Sequence, residues 1–480
     1  MLAKFLRAAV VFSFSIALLA FAAGVPAGVK DARLAGGYRF EHGGWMYVHL
    51  QGTPEQIGFQ HGYLLAPEIE DFYHVLKVES EHSTKRRWQF FRDAGRTILW
   101  PHIDPEYQKE LQGIADGVAA RGLKLDLWDI VAMNGQIELT EYYVPWVEKN
   151  QRAMNTMPDP KAPGNCSAFI ATGSYTKGGK IVMAHNNWSS YADGERWVMV
   201  FDIEPAHGHR ILMDGAPGLI TSSDDFGIND AGIMVTETTI SQFVGWDSKG
   251  TPEFVRSRKA LQYASSIDDY IAIMRKENNG GYANDWLIGD RKTGEIAYLE
   301  LGLKHTPVWR TKNGYFISSN FPRDPNLIKD ETDAFNPNDM SSSPNARRVR
   351  WEQLMEANKG KIDVPMAEQF LADHEDSFLR VKKADQRSLC GHVDTAKDGV
   401  AIWGWGPYYP GGAVQGKATD SDMAAKMSFV GRAGHPCGEN FYAKPFLAEH
   451  PEYAWQAPIL KDMIAGPWTT FTSGETSTGN

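Results

Sequence analysis

A stretch rich in proline and glycine, residues 158–164, separates two parts of the chain that have different patterns. Before it, apolar residues follow mainly helical spacing, with candidate helices at 106–120 and 127–141. After it, short strand-like runs are joined by tight turns, which predicts hairpins over residues 167–185, 197–213 and 227–239. Helical spacing returns at 252–275, and further strands are expected at 286–289, 296–300 and 315–319. Hairpins flanked by helices predict an α+β protein with mixed sheets and helical layers.

A helix is expected to begin at Thr53, because threonine is a favourable N-cap and Pro54 suits the first turn. Gly58 and Gly62 then lie about one turn apart on a single face of this helix. Because glycine has no side chain, that face is expected to allow the close approach of another backbone.

Composition and charge argue against nucleic-acid binding. The 480 residues are 42% hydrophobic, which is enough to bury one large core or two smaller ones. The net charge is -10, and we find no basic run beyond Lys85-Arg86-Arg87. Nucleic acid is therefore not expected as a partner.

The first residues resemble an export signal. Lys4 and Arg7 precede an apolar run at residues 8–24, and small residues near its end suit a cleavage site. We expect a signal peptide at residues 1–23, a periplasmic or secreted protein, and no integral membrane association. The alternative is an uncleaved N-terminal anchor, because the apolar run approaches the length that spans a bilayer.

The chain contains three cysteines, Cys166, Cys390 and Cys437. In an oxidising compartment an odd number of cysteines points to one reactive thiol. Cys390 and Cys437 are expected either to form a disulfide or to be buried free thiols. Cys166 follows Asn165 at the start of a strand-like run, where backbone cleavage would make it an N-terminus. A cysteine with its own free α-amine carries a nucleophile and a base on one residue.

The first hairpin after the break is expected to bring polar side chains to the Cys166 thiol. With a two- or four-residue loop, Cys166 faces Tyr191 or Ser189, and odd-numbered residues share its face. His185, Asn187 and Ser189 would then be the polar groups nearest the thiol. A three-residue loop would instead select Asn186, Trp188 and Ser190.

Other polar and aromatic groups have weaker claims. Asp224 and Asp225 could orient an amine or His185, but they stay outside the predicted catalytic set. His207 and His209 have a spacing that a metal could use, yet no third ligand is evident. We therefore expect neither a metal nor a cofactor. A segment rich in aromatic residues could either wall a pocket or pack in the core. Its aromatic residues are Trp403, Trp405, Tyr408 and Tyr409.

Short motifs in a shared order resemble the phospholipase B-like family. They are Asn165-Cys166-Ser167-Ala168, His185-Asn186-Asn187-Trp188-Ser189-Ser190-Tyr191, Ser222-Ser223-Asp224-Asp225-Phe226, Glu237-Thr238-Thr239, Asn284-Asp285-Trp286, Gly412-Ala413-Val414 with Lys417, and Pro445-Phe446. The N-terminal part is similar to the related penicillin acyltransferase-like cysteine peptidases. The matching pieces there are Ile57-Gly58 with His61-Gly62, residues 111–115, and Asn134 with Glu138.

The resemblance implies an N-terminal nucleophile hydrolase, a four-layer αββα sandwich whose precursor cuts itself. The bond cut would be Asn165–Cys166, with Cys166 as the nucleophile. Residues 24–165 would then be a mostly helical fragment that is released but stays associated. Residues 166–480 would be the catalytic fragment with the nucleophile at its start.

Further site residues follow from the same resemblance. His185 and Trp188 match active-site positions of the family, and Asn284 matches the asparagine whose amide lines the oxyanion site. Arg347 matches an arginine near the pocket, with Arg348 and Arg350 as alternative matches. Trp188, Asn187 and Arg347 are expected to bind substrate.

Three functions are compatible with this reading. The leading one is a cysteine hydrolase of an acyl bond, amide or ester, in a small-molecule substrate such as a fatty-acyl lipid. The second is an acyltransferase or amidase of the penicillin acyltransferase type. In that branch an aspartate follows the Asn-Trp pair, whereas Ser189 stands here, which favours the phospholipase B-like branch. The third is a non-enzymatic lipid-binding protein on the same scaffold.

Overall fold

A computed structural model describes residues 31–151, 166–224 and 226–477. The predicted signal peptide, Asn165 with the bond before Cys166, and Asp225 lie outside these residues. The strands are β1 (Tyr38–His42), β2 (Trp45–Gly52), β3 (Cys166–Thr172), β4 (Val182–Ser190), β5 (Met199–Pro205), β6 (Ile211–Gly215), β7 (Gly227–Asn229), β8 (Ile233–Thr239), β9 (Asn284–Asp290), β10 (Glu295–Leu301), β11 (Val308–Thr311), β12 (Gly314–Ser318), β13 (Glu375–Asp376), β14 (Val381–Lys382), β15 (Gly411–Asp420), β16 (Ser428–Ala433) and β17 (Thr469–Thr472).

The helices lie before, between and after these strands in the chain. They are α1 (Pro54–Leu64), α2 (Ala66–Thr84), α3 (Trp88–Ala94), α4 (Pro105–Ala120), α5 (Leu127–Asn134), α6 (Gln136–Glu138), α7 (Val144–Gln151), α8 (Tyr191–Gly194), α9 (Glu253–Tyr263), α10 (Ile267–Arg275), α11 (Pro325–Glu331), α12 (Ser343–Ala357), α13 (Val364–Leu371), α14 (Ser421–Ala424) and α15 (Ala443–Glu449). In the part of the chain that the structure describes, none of them has the length and apolar composition needed to cross a membrane.

Two large sheets dominate the described residues. A nine-stranded sheet has the order β1-β2-β5-β6-β7-β8-β9-β10-β11, and a six-stranded sheet has the order β12-β3-β4-β15-β16-β17. Neighbouring strands are antiparallel except β2 and β5, which pair in parallel. The β5–β6 and β7–β8 hairpins fall where hairpins were predicted, and β9 and β10 fall where single strands were predicted. Strands β1 and β2 were not predicted, and they join the segment before Cys166 to the larger sheet.

The hydrophobic core has three layers that define the architecture. Side chains such as Ile170 and Met234 pack between the two sheets. The outer face of the larger sheet, which includes Phe201, packs against the helices that precede Cys166 and against α9 and α10. The outer face of the smaller sheet, which includes Phe169, packs against Trp351 of α12 and the neighbouring helix α13. The protein is therefore an α+β, four-layer αββα sandwich, as the resemblance implied.

Helices α1 and α4 pack through glycine. Thr53 caps α1 in a capping box with Gln56, as expected for the helix start. A Cβ atom on Gly58 would lie 2.0 Å from the carbonyl oxygen of Glu110, and one on Gly62 would lie 2.0 Å from that of Ile114. The predicted glycine face is therefore the surface on which the backbones of α1 and α4 meet.

Candidate active site

The β3–β4 hairpin places Cys166 directly opposite Asn187. The predicted pairing of Cys166 with Tyr191 or Ser189 is wrong. The connection is longer than the loops considered, because two short helical turns occupy residues 173–179 between the strands. The observed partner, Asn187, lies two residues from Ser189 and four from Tyr191. Because side chains alternate between the two faces of a strand, this even shift leaves the odd-numbered residues on the face of Cys166, as predicted.

The shared face brings a histidine and a carboxylate to the thiol. His185 stands opposite Ala168, two residues along from the Cys166 pair. The Sγ atom of Cys166, a ring nitrogen of His185 and a carboxylate oxygen of Glu237 all lie within 4.8 Å of one another. Glu237 belonged to a matched motif, but no role was predicted for it. A thiol, an imidazole and a carboxylate therefore form one buried cluster.

Cys166 is buried, and its thiol is neutral. Burial raises the pKa of the Cys166 thiol well above its usual value, and the Glu237 carboxylate raises it further. The backbone N–H of Cys166 donates to Oδ1 of Asn320 at 3.1 Å. Asn320 has a φ of 71°, a left-handed conformation that asparagine adopts more readily than most residues. Sequence reasoning missed Asn320, whose place beside Cys166 depends on the pairing of β12 with β3.

Arg347 of α12 anchors the start of β3 from the other side. Among the described residues, the hydrogen bonds of its guanidinium go to neutral oxygens. Burial lowers the pKa of Arg347 to about 9, so the group stays charged at neutral pH. The guanidinium carbon lies 4.3 Å from the ring centroid of Trp188, within range of a cation–π interaction. The hydrogen-bond acceptors are the Cys166 carbonyl (2.6 Å), Ser167 Oγ (2.8 Å), Asn320 Oδ1 (2.9 Å) and Ser343 Oγ (3.0 Å).

A buried network of charges lies behind His185. The ammonium group of Lys417 donates to Asp214 at 2.7 Å and also to Asp224. The hydroxyl of Ser222 lies 2.7 Å from Asp214 and 2.6 Å from Asp224. Asp224 Oδ2 lies 3.8 Å from Nδ1 of His185. Asp224 was left outside the predicted catalytic set, and the structure places it next to the histidine.

Burial sets the protonation states in this network. It lowers the pKa of His185 to about 3, and the Lys417 charge adds to that effect, so the imidazole is neutral in the working pH range. Burial also raises the pKa of Asp214, with a further contribution from Asp224. Lys417 opposes burial at Asp224 and holds the pKa of Asp224 low. Asp224 is therefore the ionised carboxylate that pairs with the Lys417 ammonium, whereas Asp214 is protonated.

A cavity of about 700 Å³ opens onto Cys166. Cys166, Asn187 and Trp188 line it, whereas His185, Asn284 and Arg347 are buried without lining it. Its other aromatic lining residues are Trp197, Tyr282, Trp403, Trp405, Tyr409, Tyr453 and Trp455. Its acidic lining residues are Glu79, Glu141, Glu148, Asp193, Asp224 and Glu452. Among the described residues that line it there is neither a lysine nor an arginine.

Two buried side-chain amides near the site have unused hydrogen-bonding capacity. The Nδ2 group of Asn187, which lines the cavity, has no partner among the described residues. Neither amide atom of Asn284 has one either. Asn284 is joined to the site through Thr239, which pairs with it and whose carbonyl accepts from Asn320. Buried amides without partners are uncommon and suit a role as donors to a ligand.

The remaining candidates are placed as follows. His209 contacts Asp230 through one ring nitrogen and Ser265 through the other, each at 2.8 Å. Trp403, Trp405 and Tyr409 form a wall of the cavity, whereas Tyr408 stacks on His450. Cys390 and Cys437 are free thiols rather than a disulfide.

The two inner sheets and the outer helical layers thus form an αββα sandwich in which the buried Cys166 is the first residue of β3. A family model described as Phospholipase B matches residues 58–298, and the chain belongs to this family.

Relatives agree with this assignment. An uncharacterized protein of Archaeoglobus fulgidus is 23% identical over 290 residues, which cover 55% of this chain and 44% of that protein. Phospholipase B-like protein C of Dictyostelium discoideum is 22% identical over 289 residues, 52% of this chain and 50% of that protein. Human phospholipase B-like 1 is 24% identical over 263 residues, which cover 49% of this chain and 47% of that protein. The chain therefore matches half or less of the length of these relatives.

Among solved structures, a mutant of the conjugated bile acid hydrolase from Clostridium perfringens has 12% identity and a TM-score of 0.31, covering 56% of this chain and 89% of that one. The fold assignment depends on the layers and strand order described above.

Proposed function

We propose that the protein is a self-processing hydrolase of acyl bonds whose nucleophile is the Cys166 thiol. The observation that carries the proposal is the position of Cys166. It begins a strand of an inner sheet, faces a cavity of about 700 Å³, and has His185 and Glu237 beside its sulfur. A structural cysteine would need neither the cavity nor the polar cluster.

Self-cleavage comes first in this mechanism. The Cys166 thiol attacks the carbonyl carbon of Asn165, the peptide C–N bond breaks, and the nitrogen takes the thiol proton. The product is a thioester between Asn165 and the Cys166 sulfur. Water then hydrolyses the thioester, which releases the Asn165 carboxyl group and leaves Cys166 with a free thiol and a free α-amine.

Turnover of substrate uses the new α-amine. An N-terminal amine has a pKa of about 7.7, so it can accept the thiol proton near neutral pH. Asn320 Oδ1, which accepts from the Cys166 nitrogen in the uncut chain, would orient this amine. The thiolate attacks the acyl carbonyl carbon, the amine returns the proton to the leaving group, and water resolves the acyl-enzyme. Neutral His185 positions the sulfur rather than titrating.

Two amides are candidates for stabilising the oxyanion. Asn284 is the family match, and Asn187 is the residue that both lines the cavity and faces Cys166. Each has an Nδ2 group without a partner among the described residues. One such donor typically contributes about 10²–10³-fold to turnover.

The two fragments are expected to stay together after cleavage. Strand β2, before the cleaved bond, pairs in parallel with β5 after it over the register from Met46 to Gly52. Side chains from both fragments also share the core between the larger sheet and its helices. Separation would expose this core, so the fragments form one folded unit.

The lining of the cavity favours a particular substrate class. Aromatic side chains such as Trp403 and Trp405 suit a fatty-acyl chain. No lysine or arginine stands among the described lining residues to bind an anionic phosphodiester close to the scissile bond. Burial raises the pKa of the lining residues Glu79 and Glu141 to about 7, so these groups gain negative charge as the pH rises through neutrality. We therefore propose a fatty-acyl amide or ester whose leaving group is neutral or cationic. Export to the periplasm or medium, which the N-terminal residues predict, would give access to such lipids.

The test compares three purified substrates that share one fatty-acyl chain: an amide of a diamine, an amide of a neutral amine, and a phosphatidylglycerol. We expect release of free fatty acid from the diamine amide at the highest kcat/KM and from phosphatidylglycerol at the lowest. The assay is repeated with an excess of free amine, since acyl transfer to it would establish the acyltransferase alternative. Failure of the matured protein to release fatty acid from any of the three would favour the non-enzymatic alternative and contradict the proposal.

A further inference from the structure

A second cluster of potential ligands lies apart from the Cys166 cavity. It consists of His374, Cys390, His392 and Cys437, whose ligand atoms all lie within 4.8 Å of one another. His374 follows helix α13, Cys390 and His392 precede β15, and Cys437 follows β16. Three segments that are distant in sequence therefore meet at one point. None of these residues has a role in the proposed hydrolysis.

The distances within the cluster match a tetrahedral metal. The Nε2 atom of His392 lies 3.5 Å from the Sγ atom of Cys390 and 3.5 Å from that of Cys437. Zinc binds thiolate sulfur at about 2.3 Å and imidazole nitrogen at about 2.0–2.1 Å, so two such ligands at a tetrahedral angle lie roughly 3.5 Å apart. Both measured separations agree with that value.

The surroundings favour ligand forms of these groups. The Nε2 atom of His374 is buried and has no hydrogen-bond partner among the described residues. The backbone N–H of Glu439 donates to the Cys437 sulfur at 3.5 Å, which favours a thiolate. An imidazole lone pair and a stabilised thiolate are the donors that a metal needs.

We propose that His374, Cys390, His392 and Cys437 bind one structural zinc ion. Two sulfur and two nitrogen ligands in tetrahedral arrangement select zinc over magnesium or calcium, which prefer oxygen. Four protein ligands leave no position for substrate, which is typical of a structural site. Binding replaces the two thiol protons, which are released to solvent. This site differs from the sequence expectation of no metal, which considered only His207 and His209.

The zinc site would fix one wall of the active-site cavity. The carbonyl of Leu389, next to Cys390, accepts from the indole N–H of Trp188 at 3.2 Å and from Asn186 at 3.0 Å. A Cβ atom on Gly391 would lie 2.1 Å from the Trp188 ring, so this segment packs tightly against the ring. Trp188 in turn packs with Trp403. Zinc would therefore hold the segment that supports the aromatic wall.

The first experiment measures metal in the full-length wild-type protein, prepared without a histidine tag. We expect one zinc per chain by inductively coupled plasma mass spectrometry, and two thiols that react with a thiol reagent only after zinc is chelated. Replacing zinc with cobalt(II) should give the visible absorption bands of a tetrahedral site with thiolate ligands. Chelation should also lower the melting temperature.

Variants separate this site from catalysis. Cys390→Ser and Cys437→Ser should lose zinc, whereas Cys166→Ala should keep the full amount. A Cys390–Cys437 disulfide in the isolated protein, seen as an intact mass lower by two hydrogens, would overturn the proposal. So would wild-type protein that has free thiols at both positions yet binds no added zinc sulfate. Because both results come from the wild type, misfolded variants cannot obscure them.

Discussion

The guanidinium of Arg347 donates a hydrogen bond of 2.6 Å to the carbonyl oxygen of Cys166. The same group holds Asn320 Oδ1, which accepts from the Cys166 nitrogen. One arginine thus fixes both the carbonyl of the residue proposed as nucleophile and the acceptor for its nitrogen. Since attack requires reacting atoms aligned within about 3–3.5 Å, this anchoring is expected to control the rate of self-cleavage.

Replacing Arg347 with lysine should slow self-cleavage. Lysine keeps the charge, but a single ammonium cannot reach four acceptors in the fixed arrangement of the guanidinium. Loss of even one hydrogen bond to a charged group, about 1.5–3 kcal/mol, corresponds to a slowing of roughly tenfold or more if the cleavage transition state needs it. The measurement is a time course of fragment appearance on denaturing gels after synthesis of the precursor.

Arg348→Lys is the matched control, because Arg348 is the next residue of the same helix and pairs with Glu352 near the surface. It should cleave at the wild-type rate. Equal rates for Arg347→Lys and the wild type would show that the Arg347 contacts do not position Cys166.

Replacing Lys417 with methionine should destabilise the protein strongly. Lys417 is fully buried between Asp214 and Asp224, and removal of a partner from a buried ion pair typically costs about 3–5 kcal/mol. Urea unfolding of the variant should show a lower free energy of unfolding by about that amount. Lys426→Met, at an exposed position, is the control and should stay close to wild type. A small effect at Lys417 would mean that both carboxyl groups are protonated in the wild type.

The apparent affinity for a cationic amide should improve as pH rises through about 7. Burial raises the pKa of Glu79, a residue of the cavity, to about 7, although a hydrogen bond from Ser190 opposes it. Glu79 is thus neutral below this pH and gains its negative charge above it. KM for the diamine amide should fall between pH 6 and 8, whereas KM for the neutral amide should not. Burial also raises the pKa of Glu141, another lining residue, to about 7. Glu79→Gln should therefore weaken this dependence, and the double variant Glu79→Gln/Glu141→Gln should remove it. An unchanged profile in the double variant would exclude these carboxyl groups as its source.

The raised pKa of Glu79 should also make the protein less stable as the pH rises, although it improves the affinity for a cationic substrate. A carboxyl group with a raised pKa favours folding in its protonated form, so its contribution is complete below the unfolded pKa of about 4.3. It is lost as pH rises through about 7. Comparison of unfolding free energies at pH 5 and pH 8 should therefore show that Glu79→Gln gains most at the higher pH.

Replacing Gly62 with alanine should destabilise the packing of α1 on α4. The added Cβ would meet the Ile114 carbonyl at 2.0 Å, and backbone cannot move as easily as a side chain. Overpacking of this type costs about 1–3 kcal/mol, which should appear as a lower melting temperature. Glu70→Ala, at an exposed position of the neighbouring helix α2, serves as the control. A melting temperature equal to that of the control would show that the two helices separate without cost.

Local sequence patterns predicted much of the fold, but they could not predict contacts between segments that are distant in the chain. The helix start at Thr53 and the β7–β8 hairpin depend on neighbouring residues, and both were found where expected. The register at Cys166 was wrong because it depends on how residues 173–179 fold. Asn320 lies 154 residues from Cys166, so no local periodicity could place it there.

In the candidate site, too, local motifs predicted some residues, whereas contacts between distant segments were missed. Cys166, His185 and Trp188 were predicted as site residues, and the structure brings them into one region. Strands β1 and β2 were missed because their partner in the larger sheet, β5, lies far along the chain. The His374 cluster escaped prediction for the same reason, since its ligands come from three segments.

Self-cleavage before Cys166 is tested most directly by the intact mass and N-terminal sequence of the purified wild-type protein, measured beside Cys166→Ala. We expect two co-purifying fragments in the wild type, the larger beginning with Cys166, and a single uncut chain in the variant. A wild-type chain that stays uncut under conditions where it is folded, or a Cys166→Ala variant cut at the same bond, would contradict it.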